Sequence, residues 1–310
     1  MIADVTCLGI VVADVVGKTI DRFPDRGRLS LVERMELHSG GCAANTGISL
    51  ARLGVKTAIA GKVGRDGFGD FLDSEFRKYG LDTAGLARDN DLATAATMVL
   101  VHADGERSFL HYLGANARYG LQDIDMERAL DCRILHIAGA LVMPELDGLP
   151  TAELLKQARA KNVITSLDTV WDASGNWLPQ IAPCLPYVDY FLPSLEEARM
   201  LAGGIEQPRE IARFLAQMGA GTIAIKMGSH GSYVLAPDGA EIATPALPVS
   251  AIDALGAGDA YVAGFLAALL KGSDLDGCAR FACAVGACCV QALGATTGVL
   301  SYSETEAFMR

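Results

Sequence analysis

Short runs rich in β-branched residues alternate with longer helix-patterned segments through most of the chain, and no other feature limits its fold as tightly. The runs 5–12, 56–60, 134–138, 163–167, 190–192 and 222–226 read as strands. Between them, 43–53, 68–79, 151–160, 196–201 and 208–217 carry the spacing of amphipathic helices. Gly54 and Gly80 stand just past two of these helices, where a left-handed residue ends a helix at least cost. Strand, helix and strand at this spacing build βαβ units. The expected fold class is therefore α/β, with a mostly parallel sheet covered on both faces.

Two segments break the alternation. Residues 13–38 hold no long helix and end in a polar–apolar alternation over 32–37. Residues 94–112 read as a hairpin, with a strand up to His102, a turn at Asp104-Gly105 and a return strand from Glu106. The expected division is a core of 1–12, 39–93 and 114–310, with 13–38 and 94–113 forming a small β lid inserted in it. In the last third, 231–248 suggests short strands and turns, followed by two Ala-rich helices over 259–271 and 275–292.

Charge and composition exclude several classes of partner. Thirty-seven acidic residues against 26 basic ones give a formal charge of −11, which argues against nucleic acid. No apolar run reaches the roughly 18–20 residues of a membrane span. The opening MIADVTCLGIVVADVV contains Asp4 and Asp14 without a basic leader, so it reads as a buried strand and a cytoplasmic location is expected. The eight cysteines form no CxxC pair and have few histidines near them, so they read as small buried hydrophobes, not as a zinc site.

The stretch most informative about chemistry is Asp253-Ala254-Leu255-Gly256-Ala257-Gly258-Asp259-Ala260-Tyr261. Glycines let backbone approach a ligand without Cβ interference. The first-turn N–H groups of the helix that follows have no internal partner, and the helix dipole adds positive charge there. Gly256, Ala257 and Gly258 thus form a candidate anion hole for a transferring phosphoryl group. Asp259 at its rim is placed to take a proton from an attacking hydroxyl, although Asp is also a favoured N-cap. A second signature, Gly40-Gly41-Cys42-Ala43-Ala44-Asn45-Thr46-Gly47, lets a substrate lie against backbone or simply makes a tight turn into a helix. Asn45 on that first turn offers both donor and acceptor to a sugar hydroxyl.

With ISLARLG and GKVGRDGFGDFL following the second signature, and DALGAGDAYVAGFLAALL near the end, the chain resembles the ribokinase-like (PfkB) carbohydrate kinases over essentially its whole length. The resemblance implies a three-layer α/β/α core with a β lid, ATP and Mg²⁺ as cosubstrates, and an alcohol as phosphoryl acceptor. It gives Asp259 the role of base and the Gly256–Gly258 loop that of anion hole. It also implies that Asp14, Gly41 and Asn45 hold the sugar. Lys226, Gly228, Ser229 and Gly231, in KMGSHG, resemble the nucleotide loop, and Asp253 resembles a residue bordering a monovalent-cation (K⁺) site. One departure stands out. Where many members have Asn-x-x-Glu near Mg²⁺, this chain reads Pro193-Ser194-Leu195-Glu196-Glu197, leaving Glu197 as the Mg²⁺ candidate, through water, and Ser194 beside the phosphates.

The acceptor's identity must be read from the insertions, where the residues speak less clearly. Arg107 and Asn116 are candidates to face the acceptor; an arginine there would favour a carboxylate or phosphate on it, and a solvated strand charge is the plainer reading. A sugar or sugar acid leads. A nucleoside or sugar-phosphate kinase, or a non-catalytic sugar-binding regulator that kept the fold, remain as alternatives. Val32, Leu37, Met98, Leu100, Phe109 and Leu113 exceed what a thin exposed sheet tolerates, so the lid is expected to pair with a second copy in a homodimer.

Overall fold

A computed structural model describes residues 3–103 and 106–310. The expected turn at Asp104-Gly105 lies outside the described residues. The chain forms two sheets. Nine strands make the larger one: β1 (Ala3–Gly9), β4 (Thr57–Gly64), β5 (Asp82–Asp89), β8 (Cys132–Ala140), β9 (Ile164–Thr169), β10 (Tyr190–Phe191), β11 (Thr222–Lys226), β12 (Ser232–Leu235) and β13 (Glu241–Thr244). Four make the smaller: β2 (Val12–Lys18), β3 (Arg34–Gly40), β6 (Ala96–Val101) and β7 (Arg107–Tyr112).

In the large sheet the order is β13-β12-β11-β10-β9-β8-β1-β4-β5. Every pairing is parallel except β11 with β12 and β12 with β13. Alternate residues of its inner strands feed two separate apolar cores. On β8, Leu135 and Ile137 join one core, while Ile134 and Ala138 join the other. The first core is completed by the short α3 (Met126–Ala129), α4 (Leu149–Ala160), the short α5 (Trp177–Ile181), α6 (Leu195–Leu201) and α7 (Pro208–Gln217). The second is completed by α1 (Cys42–Arg52), α2 (Gly67–Lys78), α8 (Ala257–Leu270) and α9 (Leu275–Cys289). Helices on both faces make the three-layer α/β/α core. Small residues set its closest contact: a Cβ on Gly264 of α8 would lie 2.8 Å from a Val285 methyl and 2.9 Å from the Ala282 Cα of α9.

The first strand of the sequence reading proves to be two. The run from Val5 to Val12 is continuous in composition, yet the chain leaves β1 at Gly9 and enters β2 of the other sheet at Val12. The helix read from 259 starts two residues earlier, at Ala257, and the one read to 292 ends at Cys289.

The small sheet runs β3-β2-β6-β7, with β2 and β6 parallel and the outer pairings antiparallel. Strand alternation gives it two faces. Asp14, Val16, Thr97, Val99, Arg107, Phe109 and His111 share one. Val15, Leu37, Met35, Met98, Leu110 and Tyr112 share the other, and the last four are at least half exposed. No helix among the described residues is long and apolar enough to cross a membrane.

Candidate active site

The strand order reverses at the β1/β8 junction, since the sheet extends from β1 through β4 to β5 on one side and from β8 through β9 on the other, all parallel. Ligands of open parallel sheets bind at the carboxyl ends of strands beside such a switch. Here those ends carry Asp168 and Thr169 (β9), Lys226 (β11) and, past β1, Asp14 on the lid.

Two helix N-termini converge on this edge. At α8 the N-cap is Gly256, in the left-handed region at φ 74°, and it makes no side-chain cap. Asp259 therefore sits at the third helical position and does not cap the helix, contrary to the plainer reading of its place in the sequence. Its carboxylate Oδ2 accepts from Asn45 Nδ2, on the first turn of α1, at 2.8 Å, and the Thr46 hydroxyl reaches its carbonyl at 3.5 Å. Burial raises the pKa of Asp259, outweighing the opposing pull of Asn45, Lys226 and Cys42. A carboxyl shifted upward holds a proton more firmly, as a group that must accept one in the transition state requires. Of the three residues proposed for the anion hole, Ala257 directs its N–H to the Ala254 carbonyl at 3.3 Å. The N–H groups of Gly258 and Asp259 have no partner within the helix by virtue of their position.

The corner where β3 turns into α1 is built from absent side chains. A Cβ on Gly40 would fall 2.0 Å from Asp14 Oδ2, and one on Gly41, at φ 89°, would fall 2.5 Å from the Ile10 carbonyl oxygen. Gly40 thus makes room for the Asp14 carboxylate. Burial pushes that carboxyl up to about 6, against the lowering influence of Thr97 and His38. Asn116 donates to the Val11 carbonyl at 3.0 Å, bracing the point where β1 crosses into the lid. The amide oxygens of both Asn45 and Asn116 are buried with no hydrogen-bond partner among the described residues. Arg107 does not stand alone on its strand: its guanidinium grips Asp253 at 2.7 Å through two nitrogens.

On the opposite flank, Lys226 is largely buried and forms two bonds to Asp168, at 2.8 and 2.7 Å. Its Nζ also lies 3.5 Å from where a Cβ on Gly258 would stand, so it reaches the rim of the anion hole. Burial lowers the ammonium's pKa, but the carboxylates of Asp168, Glu197 and Asp259 outweigh it and the net shift is upward. Asp168 is pushed up to about 7, first by burial and then by the negative charge of Glu197 and Asp259, with Lys226 pulling the other way. Beyond Lys226 the chain makes a short 3₁₀ turn, Gly228–His230, closed by a bond from Met227 N–H to the Gly231 carbonyl at 2.8 Å. Gly228 and Ser229 are exposed, while Gly231 is pressed against the Thr244 carbonyl, 1.9 Å from any Cβ placed there. Ser194 caps helix 195–201 in a reciprocal capping box with Glu197, whose Oε2 also accepts from the Thr169 hydroxyl at 3.0 Å. Asp253 accepts from the Leu255 and Gly294 N–H groups at 2.9 and 2.8 Å in addition to Arg107.

Asp168, Thr169, Thr97 and Cys42 belong to this surface and were not singled out from the sequence. For Asp168 a signal existed, since it ends a β-branched run that reads as a parallel strand. Nothing local marked the others.

A family profile described as pfkB family carbohydrate kinase matches residues 2–301. The chain belongs to that family. Members are phosphotransferases acting on hydroxyl groups. An uncharacterised sugar kinase of Archaeoglobus fulgidus is 30% identical, across 81% of this chain and 98% of the relative. A nucleoside kinase of Methanothermobacter thermautotrophicus is 28% identical across 90% and 87%. Among solved structures, Arabidopsis thaliana ribokinase complexed with ribose and ATP superposes with a TM-score of 0.87 at 23% identity, covering 100% of this chain and 99% of that one. Ribokinase from Thermotoga maritima gives 0.85 at 24%, covering 99% of both chains. In this PfkB kinase the ribokinase-like fold thus brings the two signatures together beside the acidic side chains of Asp168 and Glu197 and the largely buried Lys226.

Proposed function

We propose that this PfkB kinase transfers the γ-phosphoryl group of ATP to a hydroxyl of a small sugar or sugar acid, with Asp259 as general base. The observation that carries the reading is the meeting of Asp259, the α8 N-terminus and Asn45 in one partly buried contact, 2.8 Å from amide to carboxylate. Asp259 takes the acceptor's proton as the oxygen attacks. The Gly258 and Asp259 N–H groups and the Lys226 ammonium face the charge that builds on the phosphoryl oxygens. Asp14 and the unpaired Asn45 and Asn116 amide oxygens accept hydrogen bonds from the remaining hydroxyls. Gly228, Ser229 and Gly231 form the loop for the nucleotide, with Ser194 beside the phosphates.

The donors present fit Mg²⁺ held mainly by phosphate and water. Asp168, Glu197 and Asp259 lie within electrostatic reach of a single Lys226, yet no group of three acidic or His/Cys side chains among the described residues could cage an ion unaided. Mg²⁺ would neutralise the ATP phosphates when bound, and Glu197 would hold one of its waters. Asp253 keeps its reading as a border of a K⁺ site only when Arg107 withdraws, because here that guanidinium occupies both of its oxygens.

A nucleoside acceptor is the second reading. Phe109 shares the lid face of Asp14 and His111 and is 54% exposed, a platform on which a base could stack. The opposite lid face, with Met35, Met98, Leu110 and Tyr112 exposed, supports pairing of two chains through their lids.

ADP release from ATP and Mg²⁺ across sugars, sugar acids, sugar phosphates and nucleosides tests the reading, with Asp259→Asn beside the wild type. Turnover with one acceptor class should fall at least about a hundredfold in the variant. Equal rates in the two proteins would remove Asp259 from the role of base.

A further inference from the structure

We propose that Arg107 is the positioning residue that ties lid closure to the phosphoryl-transfer loop, by completing the coordination of Asp253 only when the lid is shut. The inference rests on the kinase reading for its kinetic consequence and on geometry alone for its structural one.

Arg107 belongs to the last strand of the lid and Asp253 to the segment that enters the anion hole, 146 positions later. The two side chains meet fork to fork: Nη1 donates to Oδ1 and Nη2 to Oδ2, both at 2.7 Å. The paired geometry is one an ammonium cannot reproduce. Exposed ion pairs contribute little, but the Asp253 side chain is 2% exposed and that of Arg107 only 21%.

What Asp253 does with its remaining acceptor capacity gives the pair its meaning. Oδ1 also accepts from the Leu255 N–H, and Oδ2 from the Gly294 N–H. Leu255 directly precedes Gly256, the N-cap of α8. Gly294 directly precedes Ala295, whose carbonyl oxygen lies 2.2 Å from the position a Gly256 Cβ would take. One carboxylate therefore staples the two segments that pack around the turn into the anion hole. Burial favours the neutral form of Asp253, but Arg107 and the two N–H groups outweigh it and hold the pKa below the ordinary carboxyl range. If the lid opens, the guanidinium goes with it. A buried carboxylate then faces only two amides, and the loop loses the charge that fixes it. Transfer is thereby coupled to a lid that excludes water, which limits loss of the phosphoryl group to hydrolysis.

Arg107→Ala, Arg107→Lys, Asp253→Asn and the Arg107→Ala/Asp253→Asn double variant decide the matter. Breaking one side of a buried charged pair should lower kcat/KM for the acceptor by about 30-fold or more in Arg107→Ala. Lysine should restore little of it, because it cannot bridge both oxygens. The double variant should be no worse than the poorer single one, since both remove the same contact. Acceptor-independent ATP hydrolysis should rise relative to transfer in Arg107→Ala and in Asp253→Asn, which a merely structural role would not produce. Additive losses, an unchanged hydrolysis-to-transfer ratio, or a defect confined to acceptors bearing a carboxylate or phosphate would overturn the proposal; the last would make Arg107 a reader of the substrate instead. Hydrogen exchange on the free protein is the readout that needs no turnover. Amides of 96–101, 107–112 and 253–256 should lose protection together in Arg107→Ala, and loss in the lid alone would refute the coupling. Should the wild type phosphorylate no acceptor, the kinase reading fails while exchange still decides the latch.

Discussion

Replacing Gly256 by alanine separates two costs that usually arrive together. At φ 74° the residue is left-handed, which costs an L-residue about 1–2 kcal/mol. In addition, the new Cβ would stand 2.2 Å from the Ala295 carbonyl oxygen and 2.7 Å from its Cα, both backbone-bound atoms that cannot swing aside. Reaching ordinary contact at about 3.5 Å requires the entry to α8 to move by roughly 1 Å. Misplacement of that size at a reacting centre costs on the order of 10²-fold in rate. Gly272 supplies the control. It too is left-handed, at φ 84°, but a Cβ there meets nothing within 4 Å. Gly272→Ala should thus lower the melting temperature by a few degrees and leave kcat untouched. Gly256→Ala should lower it further and lose about a hundredfold in kcat. Differential scanning fluorimetry and ADP-release kinetics on the two variants are sufficient. If Gly256→Ala melts early yet turns over normally, the position of that backbone does not set the rate, and the anion-hole argument fails.

Further expectations concern charge and assembly. Asp14, pushed up to about 6, and Asp259, also raised, must both be ionised to accept protons and hydroxyls. Wild-type kcat/KM should therefore fall as pH drops through about 6, where Asp14 takes up its proton, and Asp14→Asn should leave only the limb set by Asp259. Lys226→Met should slow transfer and raise the pKa of Asp168 above its present value of about 7. An acid whose folded pKa is raised binds its proton more tightly folded than unfolded, so stability falls with rising pH until that pKa is passed. The wild type levels off near pH 7 and the variant continues downward, so their difference should widen by about 1.4 kcal/mol per pH unit above 7 in denaturant titrations. A gap independent of pH would contradict the Asp168 assignment. Met98→Lys with Leu110→Glu, placed opposite each other on the outer lid face, should turn a sedimenting dimer into a monomer; a wild-type monomer at micromolar concentration would end that reading.

What the sequence disclosed follows the range of the forces involved. Parallel strands and the helices between them were legible because burial on both faces leaves apolar runs and period-3.6 stripes within single segments. The edge strand β5 was not, because DTAGLARD is largely half-buried and its polar residues mask any run. The crossing from β1 to β2 left no mark in composition, since apolar residues continue through Ile10 and Val11 while the chain changes sheets. The helix start at Ala257 was read two residues late because Asp is a good cap, whereas a left-handed glycine took that place. The two glycine signatures revealed Asp259 and Asn45 separately, and only the fold brings them to 2.8 Å. Lys226 with Asp168, and Arg107 with Asp253, are partnerships between distant segments, and no local pattern records them.

The parallel pairing of β2 with β6 has a consequence for the order in which the molecule is made. Ala13 pairs with Ala96 in the same direction, so no hairpin can join these strands. β3 follows β2 and pairs with it, and the chain from β3 to β6 is spent on α1, β4, α2 and β5, which belong to the large sheet and its helices. Until those four elements are folded, the two halves of the lid are held apart by an open loop, and closing it early would cost conformational entropy with few contacts in return. The small sheet cannot be cut out as a module or fold ahead of the rest. It is completed last and, by the same logic, should be the first to come apart under mild denaturant. The first turn of α1, with Asn45 on it, thus exists before the sheet that stands over it.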